Sequence, residues 1–299
     1  VRILLTGANG QLGQALQASL APLGTVLAAT RDGRLPDGAG AEVADLSRPG
    51  SLAALVARLA PDLVVNAAAY TAVDRAEDEP DLAFRVNAEA PGALSRACAA
   101  AGIPLVHFST DYVFDGGATR PLREDDPTGP LGVYGASKLA GEQAVREGGA
   151  EHAIFRLCWV YGPVGHNFLL TMLRLARERG HLRVVDDQRG TPTSALRIAR
   201  AVAGALGRGG WRSGTWHLAA GGQCSWHGFA QAIFEGAVAR GLLAAPPGLE
   251  AVPGSAYPTR ARRPAWSVLD SAAFERDFGI HIGDWREGLD EVLDLLAQA

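Results

Sequence analysis

The sequence predicts an α/β fold, a doubly wound parallel sheet followed by a smaller C-terminal lobe. Three observations predict it. An apolar run at the N-terminus ends in a glycine turn that opens a helix. Strand-like and helix-like segments then alternate through the first half, as parallel sheets with crossover helices require. The second half resolves into helices and one further strand, separated by Gly- and Pro-punctuated loops. At 299 residues and 47% hydrophobic, the chain is large enough for one big domain or two fused ones. The expected division is 1–160 for the sheet domain, with later segments returning to it, and 161–299 for most of the second lobe.

Residues 2–6 (RILLT) form the first strand, and Gly7, Gly10 and Gly13 follow in GANGQLG. Over 11–20, Leu12, Leu16 and Leu20 share one helical face. Strand, glycine turn and helix form the context of a phosphate-binding turn. Glycines let the backbone approach a pyrophosphate, and the helix N-terminus offers unpaired N–H groups. The spacing is G-x-x-G-x-x-G rather than G-x-G-x-x-G, a variant of the dinucleotide pattern. The candidate cofactor residues in this turn are Gly7, Asn9, Gly10, Gln11, Leu12 and Gly13. A second strand covers 25–29. A cofactor lacking the 2′-phosphate would favour a carboxylate at its end, but Thr30 and Arg31 stand there, with Asp32 one place later. A guanidinium suits a phosphate dianion, so NADPH is the expected cofactor, with NADH possible.

A short third strand, 42–44, leads to Asp45 and Leu46, and Pro49 opens a helix over 49–60. Asp45 suits either an adenine contact or a helix cap. The fourth strand, 63–66, is continuously apolar up to Asn66, as a strand buried on both faces should be. It runs into Ala67, Ala68, Ala69 and Tyr70, and the small side chains would let a cofactor lie against the strand end. Asn87 falls in a helical stretch, from which its amide is expected to tie strands together. The fifth strand, 104–109, ends in Ser109, Thr110 and Asp111, just beyond the carboxyl end, where doubly wound sheets bind ligands.

Tyr134 and Lys138 stand out against the composition. Lys and Arg total 28, and 27 of these are Arg, so Lys138 is the single lysine. At four residues' separation on a helix, the two side chains lie on one face. With five tyrosines, chance would set a lone lysine four places after one in roughly one or two cases in a hundred. A lysine ammonium is expected to lower the phenol's pKa and ready it for proton transfer.

Together, G-x-x-G-x-x-G, STDYVF (109–114) and YGASK (134–138) resemble the extended short-chain dehydrogenase/reductase family. The resemblance implies a Rossmann NAD(P)-binding fold and a catalytic triad of Thr110, Tyr134 and Lys138. Tyr134 and Lys138 would also contact the cofactor, and Thr110 and Asp111 the substrate. A narrower resemblance, to the family's reductases of dTDP-linked deoxysugars, rests on VNAAAYTAVDRAEDEP (65–80), FRLCWVYG (155–162), DDQRGTPT (186–193) and AVPGSAYPTRARRP (251–264). It covers essentially the whole chain and implies a sugar-nucleotide substrate. An epimerase that retains its NAD would need the same triad, and a regulatory subunit could share the fold without it. Trp159 matches a tryptophan that packs on the deoxysugar, although its residue type suits a core aromatic equally well. Some relatives are described as dimers bridged by a metal held by glutamates. The matching positions here are Ala15, Leu196 and Arg286, with Glu287 adjacent, so no metal is expected.

In the second half, a strand over 153–159 precedes helices at 167–179, 194–206, 225–240 and 285–297. Strand TWHL (215–218) is placed within the lobe that the later helices cover. The segment DDQRGTPT is too polar for a core and reads as a surface loop. Arg189 in that loop, and the cluster Arg260, Arg262 and Arg263, are candidates for a diphosphate. His217 and His227 lack metal spacing and read as structural. Net charge −4 gives no general attraction to nucleic acid. No apolar run approaches the roughly 18–20 residues that cross a bilayer, and the sequence opens on an apolar strand without the charged region and cleavage site of a signal peptide, so none is expected. With Cys98, Cys158 and Cys224 as reduced thiols, the expected location is the cytoplasm, as a monomer or homodimer.

Overall fold

The computed structural model describes residues 1–208 and 211–298. Its centre is an all-parallel sheet of β1 (Arg2–Thr6), β2 (Thr25–Thr30), β3 (Glu42–Val43), β4 (Leu63–Asn66), β5 (Leu105–Thr110), β6 (His152–Leu157) and β7 (Gly214–His217). The spatial order is β7-β6-β5-β4-β1-β2-β3. Strand order therefore reverses between β1 and β4, the switch point at which the strands' carboxyl ends open a crevice.

The longer helices are α1 (Gln11–Leu20), α2 (Leu52–Leu59), α3 (Ala90–Ala101), α4 (Val133–Glu147), α5 (Phe168–Glu178), α6 (Ala195–Gly207), α7 (Trp226–Ala239) and α8 (Trp285–Gln298). Side chains alternate across the sheet and feed two cores. Ile3, Leu5, Val65, Val106 and Phe155 face a core shared with α1 and α6, which continues into α5, α7 and α8. Leu4, Val64, Leu105 and Ile154 face the other, closed by Leu52, Leu55 and Val56 of α2, Leu94 and Cys98 of α3, and Val145 of α4. In the C-terminal part, Asn167 caps α5 by accepting from Leu170 N (3.0 Å), and Ser225 caps α7 by accepting from Gly228 N (2.9 Å). Among the described residues, no helix is long and apolar enough to cross a membrane.

Four local expectations need correction. Strand TWHL is not confined to the second lobe: β7 pairs with β6 and forms the sheet's edge. Its Trp216 packs against Phe155 and Phe278 (ring centroids 6.0 and 5.0 Å), so the strand is anchored by the main core. The segment 186–193 is not a surface loop throughout, because Gly190–Ser194 is buried. Its polarity is absorbed internally: Thr191 donates to the Gly222 carbonyl (2.9 Å), and Thr193 donates to the Thr191 carbonyl (3.1 Å). Asn87 lies in a π-turn, Arg85–Glu89, and ties a loop to a helix rather than strand to strand. Its amide accepts from Tyr70 N (2.8 Å) and donates to Tyr70 O and Ser137 Oγ (both 3.0 Å). Finally, Pro49 opens a 3₁₀ turn, Pro49–Ser51, before α2 begins at Leu52.

Candidate active site

At the end of β1 the chain turns through Gly7, at φ +69°, a left-handed conformation that suits glycine. A Cβ on Gly7 would stand 2.6 Å from Ala68 N, so the turn is packed directly against the end of β4. A Cβ on Gly13 would collide with the Gly7 carbonyl oxygen, which lets α1 start tight against the strand. No side chain caps the N-terminus of α1, so its first N–H groups remain available to an anion. A cradle that only glycine fits, at an uncapped helix N-terminus, suits a dinucleotide's pyrophosphate. Asn9 is exposed and Leu12 buried. The Gln11 amide ties α1 to the Val160 carbonyl (3.2 Å) and accepts from Asn167 Nδ2 (3.3 Å).

Around this turn, Ala67, Ala68, Ala69 and Tyr70 are half-buried along the crevice floor. Tyr70 is fixed by Asn87 and by a 2.6 Å hydrogen bond from its hydroxyl to Glu79. Arg31 is exposed beyond β2. The Thr30 hydroxyl is committed locally, donating to Asp32 (3.1 Å) and accepting from Arg34 N (2.9 Å). Asp45 accepts from Ser47 N (3.0 Å) and Ser47 Oγ (2.7 Å), closing its own turn rather than capping a helix, and Leu46 is buried.

Thr110, Tyr134 and Lys138 gather at the carboxyl end of β5. Thr110 is the last residue of β5 and is 5% exposed. Tyr134 lies in the first turn of α4, its ring edge-on to Tyr112 (5.7 Å), and Lys138 follows one turn later at 2% exposure. The Lys138 ammonium donates to the carbonyl of Phe108 on β5 (2.6 Å). The expected lowering of the Tyr134 pKa is overturned. Burial pushes it up to about 12, while the adjacent Thr110 hydroxyl works in the opposite direction. Burial pulls Lys138 down to about 8, against the charge of Glu142. Tyr134 is therefore a neutral phenol that holds its proton at working pH.

Asp111 is 3% exposed, and its carboxylate accepts from the Thr110 hydroxyl (2.9 Å), which in turn accepts from Tyr112 N (3.2 Å). Burial pushes its pKa from 3.8 up to about 6, against the pull of Ser267, Thr110 and Cys158. Ionisation of Asp111 thus opposes folding. The favourable share is complete below the unfolded value, near 3.8, and is lost as pH rises through about 6. A gap of about two pH units, at about 1.4 kcal/mol each, comes to about 3 kcal/mol. In Asp111→Asn this cost is absent, so its unfolding free energy should gain on wild type by up to about 3 kcal/mol between pH 4 and 7 in urea titrations. A pH-independent difference would remove the buried ionisation.

Trp159 follows β6 with φ +43°, a strained backbone for a bulky side chain. Its ring stacks on Trp226 (centroids 3.5 Å, planes 7° apart) and fills the space beside Gly190 that a Cβ would need. Arg189 is exposed, and its backbone bridges to Ala265 and Ser267 (2.8 and 2.7 Å). The three other arginines divide. Arg263 pairs with Asp74 (2.7 Å) and Arg260 with Asp78, whereas Arg262 lines a cleft with Tyr134, Tyr112, Phe114 and Glu77.

Sequence reasoning missed Glu77, which accepts from Val133 N (2.8 Å) and so caps α4 from 56 residues away. The only local signal was the acidic run before Pro80, which does not reveal its partner. It also missed Trp226 behind Trp159. Among the described residues, no three His, Cys, Asp or Glu side chains form a metal-holding group. Ala15 is buried on α1, Leu196 lies on α6, Arg286 stacks over Trp285 (4.4 Å), and Glu287 pairs with Arg197 (2.9 Å).

Residues 1–298 match the family model described as RmlD substrate binding domain. A dTDP-4-dehydrorhamnose reductase of Burkholderia thailandensis is 48% identical over 100% of both chains. One from Escherichia coli strain K12 is 44% identical over 99% of this chain and 98% of its own. A crystal structure of the Bacillus anthracis dTDP-4-dehydrorhamnose reductase in complex with NADP superposes with TM-score 0.89 at 32% identity, covering 98% of this chain and 99% of that one. The matches extend over essentially the whole chain, and the chain belongs to the dTDP-4-dehydrorhamnose reductase family.

Proposed function

We propose that the chain reduces the 4-keto group of dTDP-4-dehydro-L-rhamnose with NADPH, giving dTDP-L-rhamnose. The observation that carries this reading is Tyr134 and Lys138 of α4 beside Thr110 at the carboxyl end of β5, on the same edge of the parallel sheet as the glycine turn after β1. The full-length relatives supply the substrate. The turn and the N-terminus of α1 hold the pyrophosphate, Ala67–Tyr70 floor the site, and Arg31 takes the 2′-phosphate. NADPH, when bound, supplies the hydride. Tyr134 delivers its proton to the oxygen that gains charge, and the buried Lys138 ammonium stabilises the phenolate left behind. Thr110 turns its hydroxyl from Asp111 towards the ketone oxygen and orients it. Trp159, held rigid on Trp226, offers a face to the sugar, and Asp111 and Arg189 stand where its polar groups enter.

The test is stoichiometric. Incubation with the dTDP-ketosugar should consume one NADPH per sugar reduced, read from NADPH absorbance and product chromatography. Conversion without net NADPH loss would identify an epimerase, and binding without conversion a regulatory subunit. Cofactor choice is a separate prediction. kcat/KM should favour NADPH, and an NADH preference of about fivefold or more would overturn the role of Arg31. Turnover should also survive EDTA, since Ala15, Leu196 and Arg286 offer no carboxylate; loss on chelation with recovery on adding Mg²⁺ would reverse that. With three buried free thiols, we place the enzyme in the cytoplasm as a monomer or homodimer.

A further inference from the structure

Lys138 is followed one helical turn later by a second buried charge. Glu142 lies on the same face of α4 as Tyr134 and Lys138 and is 0% exposed. Arg156 of β6, itself 4% exposed, holds it with two parallel hydrogen bonds (2.8 and 2.9 Å), and Arg146 adds a third (2.8 Å). Arg156 also reaches the Glu124 carbonyl and His217 Nε2 (both 3.4 Å). A fully buried carboxylate this well paired costs desolvation that an apolar pair would avoid, so stability alone is a weak reason for it.

We infer that Glu142, clamped by Arg156, is a positioning residue that keeps the Lys138 side chain charged. The inference rests on the proposed role of Lys138 in ketone reduction. An ammonium buried to this degree tends to lose its proton, and the nearest opposing charge decides how far. For Lys138 that charge is Glu142, which works against a burial that already brings the lysine to about 8. Glu142 can do this because it is itself ionised: burial pushes its pKa up, but Arg156, Ser109 and Arg146 together hold the carboxyl below its usual range.

The other groups around Lys138 do not replace it. From its own helix comes Tyr134, neutral at working pH. From β5 comes His107, fully buried, its Nδ1 accepting from Asn66 (3.1 Å) and held neutral by burial and by Lys138. From the turn after β5 come Tyr112 and Asp111, and Asp111 is engaged with Thr110. On the segments packed against α4, Asp74, Arg75, Asp81, Arg85, Glu89 and Arg96 are exposed or half-exposed, and the buried Cys98 thiol is held up to about 12. His152 sits at the far start of β6.

The single lysine makes the test direct. In protein grown with ¹³C-lysine, the one Cε resonance belongs to Lys138, and its titration can be followed by NMR. In Glu142→Gln the midpoint should fall by about one pH unit, a tenfold change in the charged-to-neutral ratio. The alkaline limb of kcat at saturating NADPH should move down with it, with kcat at pH 6.5 changed less than about threefold. Because Glu142→Gln strands Arg156 and can unfold the chain, Glu142→Leu/Arg156→Met removes both charges and keeps the packing. That variant should melt near wild type and still show a downward shift, smaller than that of Glu142→Gln because the like charge of Arg156 is gone as well. A wild-type midpoint and alkaline limb in the folded double variant would overturn the inference, leaving Glu142 as an anchor. So would failure of the double variant to fold. An enzyme that never oxidises NADPH with the ketosugar would instead refute the proposed function, whatever the lysine titration shows.

Discussion

Tyr134→Phe is expected to lower kcat by about 10²–10⁴-fold while NADPH affinity changes by less than about threefold. The substitution removes one oxygen and little else. The phenylalanine ring keeps the edge-on contact with Tyr112, and α4 keeps the cap from Glu77 that sets its first turn. The loss therefore falls on proton delivery. Burial holds the phenol neutral, with a pKa pushed up to about 12, so the resting enzyme carries the proton that the new alcohol needs. It also makes the phenolate expensive unless a positive charge stands by, and Lys138 is the one ammonium side chain the sequence can supply. Steady-state NADPH oxidation with the dTDP-ketosugar, beside a fluorescence titration with NADPH, separates the two quantities. Near-normal turnover would take Tyr134 out of the proton-transfer role. A fall in affinity matching the fall in kcat would mean that the hydroxyl serves cofactor binding instead.

The features legible in the sequence were those written in short-range pattern. The glycine turn, the apolar strands and the Tyr134–Lys138 spacing each depend on residues within a few positions of one another, where helix and strand periodicity apply. Long-range pairing was not legible. Glu77 caps a helix 56 residues away, and Arg156 reaches back 14 residues across a crossover to hold Glu142. Strand β7 was visible as a strand, but its place beside β6 follows from Trp216 finding Phe155 and Phe278. Thr191 and Thr193 mark a loop by composition, and only their internal hydrogen bonds allow it inside. The direction of the Tyr134 shift failed for a related reason. Helical spacing brings Lys138 near, but it reveals neither the Phe108 carbonyl that takes the ammonium's hydrogen bond nor the depth of burial.

The second large effect separates two glycines of the cofactor turn. In Gly13→Ala, the new methyl group would run into the Gly7 carbonyl oxygen and lie 2.8 Å from Ala8 Cα. Both are backbone atoms that cannot rotate aside, so the turn between β1 and α1 has to open. A loss of about 1–3 kcal/mol is expected, and NADPH binding should disappear with the geometry. Gly10→Ala differs. Gly10 has φ −75° and ψ 166°, which alanine adopts freely, and its nearest obstacle is the Gly7 oxygen at 3.3 Å. That fold should form with little loss, but the methyl group then occupies the N-terminus of α1, where a pyrophosphate must come close. Melting with and without NADPH distinguishes them, because a ligand that binds only the native state raises Tm by mass action. Gly10→Ala should keep the wild-type Tm without cofactor and lose most of the rise on adding NADPH, with affinity down by about tenfold or more. Gly13→Ala should begin several degrees lower and show almost no rise. If instead both variants melt as wild type and gain fully from NADPH, the pyrophosphate does not sit on this turn, and the cofactor site must be sought elsewhere along the carboxyl edge of the sheet.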